Sequence, residues 1–169
     1  MKKTVLTFGL LSGGILGAMM IISALFAKNM GFEKAEIFGY ATMIMASVMI
    51  FVGVKSYRDK VNNGLLSFGQ AFKAGMLITL ISTSIYVIVW MILLNTVFQD
   101  FFEQYSAAMI EKVKASGISA EEMLKKKEEM EKYKELYKNP FFCAAITFME
   151  PLPVGVGVSL ITSFILKKK

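Results

Sequence analysis

Four long stretches of the chain carry almost no charge, and nearly all of its charges crowd between them. A soluble core would interleave polar residues at helical or strand period, so the pattern predicts membrane-spanning helices. The first stretch, about Thr4 to Ala27, is free of charge. At about 1.5 Å per residue it reaches across a hydrocarbon core of about 30 Å with some tilt. Lys2 and Lys3 ahead of it suit a secretory signal peptide, but the apolar run is too long for one. Ala24-Leu25-Phe26-Ala27 also lacks the small-x-small cleavage pattern. The run reads as a retained span.

A short polar link, Lys28 to Glu36, carries Asn29 and Gly31 as stop signals. The second span is about Ile37 to Val54, followed by Lys55-Ser56-Tyr57-Arg58-Asp59-Lys60 and a turn at Asn62-Asn63-Gly64. Ser67 with Gln70 fits a capping box, which starts a third helix near Phe68 that enters the membrane after Lys73. Its apolar stretch continues to about Phe98. From Gln99 to Asn139 the composition turns charged. Phe102, Met109 and Val113 fall on one side of a helical pattern, Gly117 breaks it, and Ser119 with Glu122 opens a second Lys- and Glu-rich helix to about Tyr137. There Met123, Met130 and Tyr137 recur every seven residues. The spacing suits a two-helix hairpin or a partner helix, and equally a solvated helix with opposite charges a turn apart. The fourth span, about Phe141 to Leu166, is interrupted by Glu150-Pro151-Leu152-Pro153. The expectation is therefore one all-α, polytopic membrane domain over residues 1–169. Its four transmembrane helices lie at about 4–27, 37–54, 74–98 and 141–166, with an extramembrane helical hairpin at about 99–139 between helices 3 and 4.

A formal charge of +6 is one that nucleic-acid binders also carry. The basic surplus, however, sits at Lys2 and Lys3, in the segment Lys55 to Lys73 and at Lys167 to Lys169, always beside apolar runs. That is what topology and anionic headgroups require, so the expected partner is the lipid bilayer and not nucleic acid. An even number of spans puts both termini on one face. Lys and Arg are close to evenly shared between the two faces, but the short connections and termini favour a cytoplasmic location for both ends.

Few residues in the chain can carry chemistry. The chain has no histidine, which removes the commonest general base and the commonest transition-metal ligand, and one cysteine, Cys143, which has no intrachain partner. No phosphate loop, nucleophile elbow or metal motif is present, so no catalytic residue, metal or cofactor is expected. Glu150 stands out: about 14 Å along a regular helix from Phe141, it falls near mid-bilayer. A carboxyl there must be paired, hydrogen-bonded, protonated or hydrated, and is by default functional. Pro151 and Pro153 each lack a backbone donor, which frees the carbonyls of Thr147 and Met149, and broken helices with an acid at the break build ion sites in several transporters. Alternatively Glu150 only pins a kink. Thr79, Thr83, Tyr86 and Trp90 fall on one face of the third span, with Ser82 beside them. Thr79, Thr83 and Tyr86 are candidate partners for Glu150, or ordinary interhelical hydrogen bonders. Gly9, Gly13 and Gly17 form one ladder of small residues, and Gly155, Ser159 and Ser163 another. Both allow close helix approach, within the chain or between chains.

Several stretches together resemble a known family. They are Gly53-Val54-Lys55-Ser56-Tyr57-Arg58-Asp59, Asn63-Gly64-Leu65-Leu66-Ser67-Phe68-Gly69-Gln70-Ala71-Phe72-Lys73, Tyr86-Val87-Ile88-Val89-Trp90-Met91, and Tyr137-Lys138-Asn139-Pro140 with Glu150 and Pro153. The chain resembles domain-of-unknown-function family 4199, small bacterial membrane proteins found mainly in Bacteroidota. The resemblance implies a four-helix protein of the inner membrane with no assigned activity, and it brings no catalytic residues.

Two functions follow as expectations. One is a non-enzymatic scaffold, assembly or interaction component that uses residues 99–139 to engage a protein partner or a second copy of itself. The other is a small proton- or cation-coupled transporter or channel subunit that uses Glu150.

Overall fold

In hydrocarbon an uncharged backbone satisfies its own hydrogen bonds only as a helix or a closed barrel, and the four apolar runs are helices. In the computed structural model, which describes residues 1–30, 32–115, 117 and 119–168, they form α1 (Lys2–Met30), α2 (Phe32–Lys60), α3 (Phe68–Thr96) and a broken pair, α6 (Pro140–Met149) and α7 (Leu152–Leu166). Each of the four runs is long and apolar enough to cross a membrane. Between the third and fourth runs lie α4 (Phe101–Ala115) and α5 (Ala120–Tyr137), the expected helical pair. The fold is all-α.

The ends differ from the sequence expectation in two places. The polar link from Lys28 to Glu36 is mostly helix, since α1 continues to Met30 and α2 begins at Phe32; Gly31 lies outside the described residues. Polar side chains end contact with hydrocarbon, but Lys and Glu are good helix formers and do not end the helix. At the far end of the third span the helix stops at Thr96, where the Val97 N–H donates to the Leu93 carbonyl (2.8 Å), although the apolar run continues to Phe98.

The third helix opens as its sequence requires. Gln70 N–H donates to Ser67 Oγ (3.3 Å), and Ser67 N–H donates to Gln70 Oε1 (3.1 Å). Ahead of this cap, Asn63 and Gly64 take φ of 52° and +79°, the left-handed turn that Asn and Gly accept most readily. Ser67→Ala is expected to lower stability by about 1 kcal/mol, measured by equilibrium unfolding in mixed micelles; an unchanged midpoint would show the cap to be dispensable.

Small residues set the packing. α1 runs parallel to α3, with Gly9, Gly13 and Gly17 facing Ile81, Ile85 and Val89 in turn. α7 runs antiparallel to α3, with Gly155 against Thr79 and Ser159 against Gly75. α2 packs along α1 and α7. Both ladders of small residues thus lie against helices of the same chain. Buried hydroxyls find carbonyls: Ser12 Oγ donates across to Ala46 of α2 (3.0 Å), while Ser47 Oγ donates to Met43 (2.7 Å) and Ser163 Oγ to Ser159 (2.6 Å) within their own helices. Among the described residues, no buried side-chain oxygen or nitrogen lacks a partner, as a site without water demands.

The tightest core lies at the end of the bundle that holds both termini, where Val54, Leu66, Ala71, Ile78 and Leu166 are buried together. Leu66 and Lys168 form a two-way antiparallel bridge, each N–H donating to the other's carbonyl at 2.8 Å. This ties the chain's end to the loop between α2 and α3. Elsewhere the flanks expose large apolar residues such as Leu25, Ile37, Ile44 and Ile165, the surface a bilayer covers.

Candidate functional site at the broken fourth span

Proline sets where the fourth run breaks. α6 ends at Met149, Glu150 and Pro151 keep near-helical torsions, and α7 starts at Leu152, where the Gly155 N–H picks up the Pro151 carbonyl (3.0 Å). Pro151 is buried, Pro153 is exposed, and Glu150 is exposed on the flank of the bundle. The antiparallel register of α3 and α7 brings Tyr86 to the same level, and Tyr86 Oη donates to Glu150 Oε2 at 3.0 Å. From Tyr86 to the end of α3 at Thr96 is about 15 Å of helix, so the pair sits deep between the two ends of the bundle.

The other candidate partners are elsewhere. Thr79 lies about 10 Å further along α3 from Tyr86, where Thr79 Oγ1 donates to the Gly75 carbonyl (3.0 Å) and meets Ser159 Oγ at 3.5 Å. Thr79 is therefore not a partner of Glu150, a correction that follows from the register. Thr83 is buried, with no bond to Glu150. Ser82 donates to the Thr79 carbonyl (2.9 Å). Trp90 joins an aromatic cluster instead, with ring centroids 5.9 Å from Phe98 and 5.2 Å from Phe101. Two residues not singled out by sequence reasoning stand within electrostatic reach of the pair: Glu36 of Glu150 and Tyr40 of Tyr86, both from the first turns of α2. Nothing in the local sequence marks them, because tertiary folding alone brings them there. Cys143 is buried one helical turn from Thr147.

The hairpin of α4 and α5 is closed by its own contacts. Ser119 and Glu122 form its capping box, and Lys134 Nζ pairs with Glu103 Oε1 at 2.5 Å. The Phe102 and Tyr137 rings lie 4.6 Å apart, with Phe142 beyond Tyr137 at 5.9 Å. Met109, Val113 and Met130 line a shallow groove between the two helices. The seven-residue recurrence of Met123, Met130 and Tyr137 thus serves pairing within the chain, at least at Met130 and Tyr137. Burial holds the Tyr137 phenol well above its ordinary range, at about 12, and the Lys134 ammonium holds the Glu103 carboxyl below the usual carboxylate value. A depressed carboxyl contributes stability above its unfolded pKa and loses it as pH falls through the lower folded value. Acidification below about pH 4 is therefore expected to loosen the α4–α5 contact, read as a widened distance between spin labels on the two helices. Lys134→Met should remove that pH response; a response that persists would assign it to another group.

A family described as Protein of unknown function (DUF4199) matches residues 7–168. The chain belongs to that family. No curated protein and no solved structure matches the chain. DUF4199 membership covers all four runs, the hairpin and the Tyr86–Glu150 pair, and it agrees with a multi-pass membrane protein. The stretches that carry the resemblance fall at the end of α2, the capped start of α3, the Tyr86 turn and the entry to α6. All of these are places where this structure changes direction or pairs a mid-span acid.

Proposed function

We propose that this protein is a non-enzymatic assembly or interaction component of the membrane, and that its α4–α5 hairpin engages a protein partner or a second copy of the chain. The observation that carries this reading is that the hairpin is held by contacts of its own, Glu103 to Lys134 and Phe102 to Tyr137. It keeps Leu124, Tyr133 and Leu136 exposed. A connector between two spans needs far less chain, and a rigid arm with apolar residues among charges suits recognition. Both termini then lie in the cytoplasm and the hairpin on the opposite face of the inner membrane. Removing residues Glu103 to Lys134 and rejoining the ends with a short linker tests the reading. Crosslinking in native membranes should then lose its protein partners or its higher oligomer, with the four-helix bundle still inserted. Unchanged partners and oligomer size would refute it.

One observation favours a second reading. Glu150 lies deep in the span yet is exposed on the bundle's flank, with Tyr86 donating to one of its oxygens. A mid-span carboxyl facing outward is costly unless another surface or water meets it. A proton- or cation-coupled pathway built between copies of the chain supplies both. Proton flux in liposomes holding wild type or Glu150→Gln separates the readings: flux that is absent, or indifferent to the substitution, leaves the assembly role standing alone.

A further inference from the structure

The charges are not spread evenly over the two ends of the bundle. Nine of the 19 Lys and Arg residues fall in segments at the end that holds both termini, beside one of the 13 acids, Asp59. The opposite end, with the hairpin, carries Lys and Glu in near balance. The fold concentrates the unbalanced charge further. The bridge between Leu66 and Lys168 holds the lysine tail against the α2–α3 loop, and both Lys55 and Lys168 stand within electrostatic reach of the Asp59 carboxylate. That carboxylate is already paired with Arg58 (Nε to Oδ1, 2.7 Å). Arg58 thus pairs with the single acid at this end, while the bridge holds Lys168 nearby, and both Lys55 and Lys168 are exposed. Lys55 directly follows Val54, the end of the second apolar run, and Lys168 lies just beyond α7, so the group stands at headgroup level. Beside the bridge, on the hydrocarbon side, the Phe164 ring is exposed and packs on Phe68 (centroids 4.9 Å), while Leu65 is exposed in the loop. Surplus positive charge above an exposed apolar rim has the shape of an amphiphile.

We infer that this end of the bundle is a binding surface for anionic phospholipids, with Lys55, Arg58 and Lys168 taking the headgroup phosphate and Phe164 and Leu65 lying along the adjacent acyl chain. The Leu66–Lys168 bridge is the element that makes the surface, because it fixes a lysine of the chain's end beside cations of α2. The inference stands apart from the proposed role of the hairpin, which lies at the other end of the molecule.

The test uses the full chain purified in detergent and offered phosphatidylglycerol or phosphatidylcholine, with retained lipid counted by native mass spectrometry. Wild type should retain phosphatidylglycerol over phosphatidylcholine, and the preference should shrink in added salt. Near a surface each lysine is worth about fivefold, so Lys55→Gln with Lys168→Gln should cut phosphatidylglycerol retention by roughly an order of magnitude or more. Phosphatidylcholine retention should be untouched. The bridge survives these changes because it is made by backbone groups. Lys55→Arg with Lys168→Arg should keep retention, and removing two hairpin lysines by Lys125→Gln with Lys132→Gln should not alter it. Equal retention of the two lipids, an equal loss in the hairpin variant, or failure of the arginine variant to retain lipid would overturn the inference. So would displacement of the lipid by millimolar inorganic phosphate, which would make the surface a site for free anions.

Discussion

Gly155→Ala is expected to destabilise the bundle by about 1–3 kcal/mol, the cost of overpacking a well-filled contact. Gly157→Ala, on the same helix, should leave it unchanged or slightly more stable. A Cβ on Gly155 would run into Cγ2, Oγ1 and Cβ of Thr79, whereas one on Gly157 meets nothing within 4 Å. Thr79 cannot easily retreat. It is β-branched and has few helical rotamers, and its hydroxyl is engaged with the Gly75 carbonyl and with Ser159. The methyl must therefore push α7 off α3, which also strains the register that brings Tyr86 to Glu150. At Gly157 only the glycine's helix penalty of about 0.5–1 kcal/mol is relieved. Unfolding by SDS titration in mixed micelles, followed by tryptophan fluorescence, compares the two directly. Equal effects at the two positions would mean that α3 and α7 are not in close contact at Gly155. Leu at position 155 should be worse than Ala and abolish the folded fraction before the denaturant is raised.

The second large effect concerns the pair inside the span. Tyr86→Phe removes the hydroxyl that donates to Glu150 Oε2 and leaves the acid without that donor, whereas replacing both partners by apolar groups removes the demand along with the donor. An orphaned acceptor costs more than a deleted pair. Tyr86→Phe combined with Glu150→Met should therefore be more stable than Tyr86→Phe alone, although it carries one more substitution. The coupling from the four-member cycle is expected at about 1 kcal/mol, toward the upper part of the range measured between membrane helices. Additive single effects would show that the hydroxyl and the carboxyl do not interact, and with them would go the local basis for a pathway at Glu150.

The spans were legible because the physics that makes them is written in composition: apart from Glu150, charge is excluded from four runs and from little else. The capping boxes at Ser67–Gln70 and Ser119–Glu122 were legible for a related reason, since each needs only residues three apart. Helix ends near Lys28 and Glu36 were not, because a polar residue says where lipid contact stops and not where hydrogen bonding stops. The partner of Glu150 was narrowed to one face of α3 by helical period. The period repeats every turn, though, and cannot say which turn meets α6. That choice is made by the fit of Gly155 to Thr79 and of Ser159 to Gly75, which sets Tyr86 and not Thr79 opposite the acid. Glu36 and Tyr40 were out of reach because they approach from another helix whose path depends on all the other contacts. The hairpin's pairing was half visible: Phe102 and Tyr137 each lay in an apolar pattern of its own helix, but neither pattern says that the two rings meet or that Phe142 joins them.

The break in the fourth crossing bears on how the chain is made. The runs of α1, α2 and α3 are uninterrupted and strongly apolar, which favours their transfer to lipid one by one. The last crossing is the least apolar of the four, with an acid and two prolines at its middle, and a long hydrophilic arm precedes it. A segment of that kind partitions less well alone than the other three. Its entry into the bilayer is therefore expected to be the one most helped by α3, which offers the Tyr86 hydroxyl and the seat for Gly155. Damage to α3 is then expected to be read first as a weaker insertion of the final helix.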